Sequence, residues 1–381
     1  MERPGLRATN FREDGNAAHI EHSRADGSKM VVDRGLHGER RVEVVRRDGV
    51  RVVTMGRQKF VERPIRPSYV SRTYVSGGRT QVRVYRTYTY GRVHYFSYVP
   101  RVDYQPAFYG WVHRPWRAPV VYAWGWGPAP WFYGGYFAPE PVYPTAALWL
   151  TDFLLAENLK LAYENRMAAS GAGQPAPQVP LAQNNPVTLT REVKQLIAEE
   201  VQQELAAEQA AAAQPASLQP TGAAQQSAVP DAPPPTLDEK VKVFVVSTGL
   251  NLIAGSDGQT CTVTLGDIIG RKGRDVTADG QVPVSVLNSK DGDCPVDLAT
   301  ALDVSALQDM HNEFREQISA GMEKLASNQG KAGLPAGPAP DPRQVAEGQA
   351  SASADAKDLL AKQVQEADRT EAERPEAVMD G

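Results

Sequence analysis

The sequence predicts a mainly β chain with helices, of the α+β class. The expected order is an N-terminal antiparallel β-hairpin meander with an aromatic-rich layer, linker helices, and a small C-terminal β-barrel-like module with a C-terminal helix. Three observations predict it. Asp26-Gly27 and Asp48-Gly49 punctuate β-branched runs, the strongest local hairpin signal. Between Tyr69 and Tyr143 lie 13 of the 14 Tyr, 5 of the 6 Trp and 4 of the 9 Phe. Two Ala/Gln/Pro-rich stretches, 169–187 and 212–237, separate these features from a last set of short apolar runs.

Residues 1–16 are polar and read as a flexible N-terminus. Domain 17–168 then opens with Met30-Val31-Val32, Val42-Glu43-Val44-Val45 and Val50-Arg51-Val52-Val53, set between Asp26-Gly27, Leu36-His37-Gly38 and Asp48-Gly49. An Asp-Gly pair in a two-residue hairpin loop takes positive φ at both positions. Ser76-Gly77-Gly78-Arg79 marks a further turn before Gln81–Tyr90, whose Val, Tyr and Thr favour strands. Alternation puts Val82, Val84, Arg86, Tyr88 and Tyr90 on one face and Gln81, Arg83, Tyr85, Thr87 and Thr89 on the other, which reads as solvated. Over 100–144 the rings interleave with Gly and Pro. This predicts an irregular layer packed over the preceding sheet, with little regular secondary structure.

Thr145 is placed to cap a helix to about Met167, with Leu148, Trp149, Phe153, Leu159 and Tyr163 on one broad face. Residues 169–237 read as linker around a helix at about 188–211, whose Val193, Leu196, Ile197, Val201 and Leu205 follow helical spacing. That stripe is a candidate homo-oligomer contact. Module 238–330 offers five strands: Val241–Val246, Leu250–Ala254, Cys261–Val263, Ile268–Ile269 and Val282–Leu287. Leu265-Gly266-Asp267 reads as a tight turn. Ser305-Ala306-Leu307-Gln308 has capping-box form, opening a helix that carries Leu307, Met310, Phe314, Ile318, Met322 and Leu325 and stops at Gly330. The tail 331–381 is expected to be disordered, with a short helix around Ala356–Gln365. Because the linkers bury so little, modules 17–168 and 238–330 are expected to fold separately.

The net charge of −4 conceals a division: residues 1–120 hold 23 Lys+Arg, 21 of them Arg, against 11 Asp+Glu. The N-terminal part should therefore meet something anionic, or an acidic part of another chain. No apolar run reaches the length of a transmembrane helix. Met1-Glu2-Arg3-Pro4 carries no apolar signal core, which points to the cytoplasm. Cys261 and Cys294, the only cysteines, both fall in the C-terminal module, and they read as a disulfide ahead of two free thiols; a bridge implies an oxidising compartment.

Chemistry-bearing motifs are sparse. There is no G-x-S-x-G, no H-E-x-x-H and no phosphate-binding Gly-Lys-Ser/Thr loop, so the chain reads as non-enzymatic. No cofactor or metal is expected: two cysteines without paired His make a poor zinc site, and Asp291-Gly292-Asp293 lacks the rest of a calcium loop. His311 is expected at the edge of the apolar stripe of its helix. Arg83, Tyr85, Arg114, Trp116, Trp124 and Trp126 form the candidate binding surface, since exposed rings stack on sugar faces. Ring packing in a core is the competing reading. Arg and Tyr interleaving also suits single-stranded nucleic acid, the alternative function.

Six segments together carry a resemblance. They are Phe108-Tyr109-Gly110-Trp111, Trp124-Gly125-Trp126, Pro141-Val142-Tyr143-Pro144, Trp149-Leu150-Thr151-Asp152, Gly292-Asp293-Cys294 and Leu307-Gln308-Asp309-Met310-His311-Asn312. Over about 30–335 the chain resembles a family of bacterial proteins that look exported to the cell envelope and carry no assigned chemistry. The resemblance implies export to the periplasm or cell exterior and no activity. With the candidate ring surface, the chain is expected to be a structural or binding protein whose partner is peptidoglycan, another envelope polysaccharide or a protein.

Overall fold

The computed structural model describes residues 5–11, 17–34, 40–55, 58–76, 79–91, 93–125, 135–169, 188–213, 233–253, 258, 260–344 and 355–372. The chain divides into two compact units, residues 1–87 with 346–381, and residues 88–345. The fold is mixed α+β. Leu36-His37-Gly38, Gly77-Gly78, Trp126, Trp131–Gly134 and most of both expected linkers lie outside the described residues.

The first unit is an antiparallel meander of β1 (Gly5–Phe11), β2 (Ala17–Ser23), β3 (Lys29–Arg34), β4 (Arg40–Val45), β5 (Arg51–Met55), β6 (Gln58–Arg66), β7 (Tyr69–Ser76) and the first part of β8 (Arg79–Tyr90), each strand paired with the next. The expected flexible N-terminus thus contains a strand, β1, held by its ladder to β2. The Asp-Gly turns form, with a geometry different from the one expected. Arg24 N–H donates to Ser28 O and Gly27 N–H to Arg24 O, both at 2.9 Å, and Arg46–Val50 repeats the pattern. Only the glycines take positive φ, 79° at Gly27 and 78° at Gly49. These are three-residue loops, and each Asp stays in ordinary φ space because its carboxylate accepts the N–H two residues on.

One face of the meander is apolar: Ile20, Met30, Val32, Val42, Val44, Val52 and Val61 are buried. Residues 356–372 of the chain, far away in sequence, cover it as a helix packed through Ala356, Leu360 and Ala367. Gln363 enters the contact. It donates to Val42 O at 3.0 Å and to Val52 O at 2.6 Å, and accepts from the Thr54 hydroxyl at 2.7 Å. Around this centre Arg24 pairs with Glu366, Arg34 with Glu371, Arg40 with Asp368 and Glu371, and Arg63 with Asp355. The expected disordered tail is therefore corrected over these residues. Few large apolar groups suffice there because small residues, one Gln and an acidic rim match the sheet.

The second unit follows with β9 (Val93–Val99), β10 (Val102–Asp103), helix α1 (Pro106–His113), α2 (Ala146–Ala169), α3 (Arg191–Ala212), β11 (Val243–Val245), β12 (Leu250–Ile253), β13 (Thr260–Val263), β14 (Ile268–Arg271), β15 (Gln281–Asn288), β16 (Ala299–Asp303), α4 (Val304–Asn328) and β17 (Arg343–Gln344); the tail helix is α5 (Ala356–Ala372). All five expected C-terminal strands form, and β16 joins them. They make an open sheet, in the order β11-β14-β15-β16, beside a separate β12-β13 hairpin. Among the described residues no barrel closes.

The described rings of the aromatic stretch, expected as a layer over the preceding sheet, belong to a core of the second unit. Tyr104, Phe108, Tyr109, Trp116, Tyr136, Phe137, Tyr143, Trp149 and Phe153 share one core with Ile197, Val201 and Leu205 of α3, Phe314, Ile318, Met322 and Leu325 of α4, and Val243, Val245 and Ile268 of the strands. Regular structure also appears where none was expected, in α1, because Pro106 is tolerated at a first helical turn. α3, assigned to a linker, is a core helix. Its Thr190 cap accepts Val193 N–H at 3.2 Å, and Val193, Ile197, Val201 and Leu205 are buried within the chain, while Leu196 stays exposed. The stripe considered for oligomerisation is thus already covered. At the start of α4 the capping box is not made: Asp303 is the N-cap residue without a side-chain cap bond, and Gln308 instead accepts Thr236 N–H at 3.3 Å. Gly321 lets α4 lie close on α2, since a Cβ there would sit 2.5 Å from Leu150 Cδ2.

Two outcomes are expected. Phe314, 4 % exposed, should cost about 3–5 kcal/mol when changed to Ala, the range for truncating a buried Phe. A loss in denaturant unfolding near that of a surface mutation would show that the ring is not packed. Residues 238–330 expressed alone would leave Val243, Val245, Phe314, Ile318, Met322 and Leu325 without α2, α3 and the ring layer. A poorly dispersed NMR spectrum is therefore expected even under oxidising conditions, reversing the expectation of a separate module; sharp dispersion would restore it.

Candidate functional site

The residues expected to form a binding surface are distributed between the two units. In the first, Tyr85 is buried, with Arg72 over its ring at 4.7 Å and Tyr74 OH 3.2 Å from its own hydroxyl. Arg83 stacks over Tyr74 at 4.6 Å. At Arg83 and Tyr85 the face expected to be solvated is instead covered by a ladder of paired groups, while Gln81 and Thr89 stay exposed. Arg51 bridges Glu43 and Glu62 at 2.8 Å each, and Arg72 reaches Glu62 at 2.7 Å. In the second unit Trp116 is buried, and Trp124 stacks on Trp149 at 4.8 Å while donating to Tyr143 OH at 2.8 Å. Arg114 is exposed after α1, and Trp126 lies outside the described residues. Tyr85, Trp116 and Trp124 are thus packing groups, set against other rings or a guanidinium plane.

Chemistry concentrates instead in three buried polar networks of the second unit. In the first, α2 presents Asp152 and α3 presents Lys194. The amine lies 2.8 Å from Asp152 Oδ1 and 3.5 Å from Glu140 Oε1. Asp152 Oδ2 accepts Tyr143 OH at 2.6 Å and Glu140 N–H at 2.5 Å. Burial raises the Asp152 pKa, against the pull of Lys194.

The second network surrounds the cysteines. Cys261 and Cys294 are at disulfide distance, with Cα atoms 5.1 Å apart, inside the usual range for a bridge. Close by, Lys290 contacts Asp267 and lies 3.5 Å from Asp293 Oδ2. Gly266 at φ +90° forms the expected tight turn, in which Asp267 accepts Thr264 N–H at 2.8 Å.

The third network lies between α3 and α4. Glu200, Glu204 and Glu208 recur at one-turn spacing on α3. Glu204 faces Arg315 at 3.0 Å and His311 at 3.4 Å. His311 is not at the rim of its stripe but only 2 % exposed. Burial, opposed by Glu204, lowers it to about 4. Burial likewise pushes Glu200 up to about 8 and Glu208 up to about 7, and the neighbouring Glu204 charge adds to both. Asn312 fastens β9, accepting Tyr98 N–H at 2.8 Å and donating to Phe96 O at 2.7 Å.

These networks absorb Tyr143, Asp152, Asp293, Gln308, His311 and Asn312, all from the segments on which the resemblance rests. Their partners Lys194, Lys290 and the α3 glutamates carry no chemical motif in the sequence, and Asp267 shows there only as a turn residue. The repeat Glu200-Glu204-Glu208 beside Val201 and Leu205 was a visible signal; the convergence with His311 and Arg315 was not. Among the described residues no group of three His, Cys, Asp or Glu is arranged to hold a metal ion. Comparisons with family models, with curated proteins and with solved structures return no match.

The raised glutamates set a pH dependence. A carboxyl with a raised folded pKa contributes stability that is complete below its unfolded value near 4.5 and lost as pH climbs through the folded one. For Glu200 that window is roughly pH 4.5–8. His311 acts oppositely: its contribution is present above about 6.5 and lost as pH falls toward 4. Glu200→Gln should therefore flatten the fall in stability between pH 5 and 8. Parallel wild-type and variant curves in denaturant unfolding at several pH values would refute the assignment.

Proposed function

We propose that this chain is a non-enzymatic structural or binding protein of the bacterial cell envelope, working in the periplasm or outside the cell. Its partner is taken to be an envelope polysaccharide, peptidoglycan included, or another protein. The observation that carries the reading is the Cys261–Cys294 pair, whose bridge persists in an oxidising compartment. No helix among the described residues is long and apolar enough to cross a membrane. The acidic groups, amines and rings of the second unit support a scaffold in a further way, since they bond to one another across α2, α3, α4 and the strands.

Nucleic acid remains the second reading, on the Arg/Tyr-rich N-terminal part. One observation weighs against it: Arg24, Arg34, Arg40, Arg51, Arg63 and Arg72 are each ion-paired with a carboxylate of their own unit. Phosphate binding would have to displace those partners.

Fractionation of the source cells, with thiols blocked before lysis, tests the compartment. The expected result is protein in the envelope or periplasmic fraction with no free thiol; cytosolic protein with two free thiols would sink the proposal. Sedimentation with peptidoglycan sacculi beside a gel shift with DNA and RNA separates the two readings. A shift that weakens steeply with salt would favour the second.

A further inference from the structure

Lys290 and Asp267 meet because their strands are paired. Asp267 immediately precedes β14, Lys290 follows β15 by two residues, and the ladder sets Ile268 opposite Asn288. The Lys290 amine contacts Asp267 Oδ1, lies 3.5 Å from Asp293 Oδ2 and donates to Leu265 O at 3.0 Å. The Asp267 carboxyl is held by two backbone amides: Oδ2 accepts Thr264 N–H at 2.8 Å and Oδ1 accepts Lys290 N–H at 3.0 Å. Asp293 hydrogen-bonds to Asp267 and is fixed by the Thr264 hydroxyl at 2.6 Å. Asp267 is 0 % exposed, and the Tyr136 ring stands 5.2 Å from the amine.

Two opposite charges enclosed in this way are expensive to keep, because each has lost its water. A proton passed from ammonium to carboxylate would leave two neutral groups, and a low-dielectric interior penalises neutral groups less than charged ones. Burial pushes Asp267 up to about 7, ahead of the opposing pull of Lys290. A neutral amine is a nucleophile and a carboxylic acid carbon is an electrophile. Here the fold holds them in contact, so the entropy of bringing them together is already spent.

We propose that Lys290 and Asp267 condense to an intramolecular amide cross-link, with Asp293 as the acid–base group. Lys290 Nζ attacks Asp267 Cγ; the developing oxyanion at Oδ2 is met by the Thr264 backbone amide, and Oδ1, beside the Lys290 backbone amide, is the oxygen that leaves. Asp293 takes the proton shed by nitrogen and delivers it to the departing hydroxyl. The C–O bond breaks, the C–N bond forms and one water leaves, so neither oxidant nor activating co-reactant is consumed. The bond staples the start of β14 to the end of β15, next to the Cys261–Cys294 pair that ties in β13. Lys194 and Asp152 form a comparable contact, but Glu140 is placed against the amine and reaches Asp152 through its backbone N–H. Among the described residues Glu140, although 3.5 Å from the amine, makes no side-chain hydrogen bond to Asp152, so the shuttle that Asp293 offers has no counterpart there. The cross-link goes beyond the envelope reading and does not depend on the compartment.

Intact-mass measurement of the reduced, denatured full-length chain tests it. The expected mass is one water below that of the sequence, and digestion should yield a branched peptide joining the segments that hold Asp267 and Lys290. Asp293→Asn should return the chain to full mass, while Asp293→Glu, which keeps the acid, should restore the loss. Wild-type protein at full mass after prolonged incubation at neutral pH, with Asp267 and Lys290 in separate linear peptides, overturns the proposal. A branched peptide at Lys194 and Asp152 instead overturns the assignment, and an Asp293→Asn chain linked as fully as wild type removes Asp293 from the mechanism.

Discussion

One apolar stripe on α4 holds the second unit together. Leu307 and Met310 at its start pack with Phe244, Ile269, Val282, Val284 and Val286 of the sheet. Phe314, Ile318, Met322 and Leu325, further along, pack with the rings and with α2 and α3. Because both cores close on the same helix, neither is complete without the other. The close approach of α2 at Gly321 and the anchoring of β9 by Asn312 and Arg315 follow from where that stripe lies. Burial of six large side chains along one helix drives this arrangement, since each contributes about 1.5–3 kcal/mol when fully removed from water.

Burying that much surface between helices also traps polar groups. Asp152 with Lys194, Asp267 with Lys290, and Glu204 with His311 and Arg315 lie inside the same unit. An interior ion pair gains little over an apolar one, and a broken pair costs far more. Such networks therefore discriminate between arrangements: a slip of α3 by one turn would carry Lys194 away from Asp152 and Glu140. The raised carboxyls and lowered imidazole of the α3–α4 interface are the electrostatic trace of that enclosure.

The first unit solves the same problem with charge at its border. Its sheet face is apolar at the centre and arginine-rich at the rim, and α5 matches both, with Ala356, Leu360 and Ala367 inside and Asp355, Glu366, Asp368 and Glu371 outside. The basic excess of the N-terminal part is met, over these residues, by acidic groups of the same chain. Exposed pairs of this kind contribute little individually; their role is to orient the helix, while Gln363 sets its register on Val42 and Val52.

What the sequence by itself determined is local. Asp-Gly turns, β-branched runs, the tight turn at Gly266 and the stripe of α4 are each written within a few neighbouring residues, because propensity and periodicity act at short range. The pairing of Cys261 with Cys294 was legible only because no other cysteine competes. The tertiary structure decided where each face finds its partner. Alternation showed that Val84 and Tyr85 point opposite ways, but not that both are buried. Helical spacing showed an apolar stripe on α3, but not that the chain's own core covers it. Composition alone cannot show that a polar tail caps a sheet more than 300 residues away in sequence, since that depends on complementarity between distant surfaces. The same limit applied to Lys290, Asp267 and Asp293: in sequence they lie in or beside ordinary turns, and only strand pairing places the three in one enclosed contact.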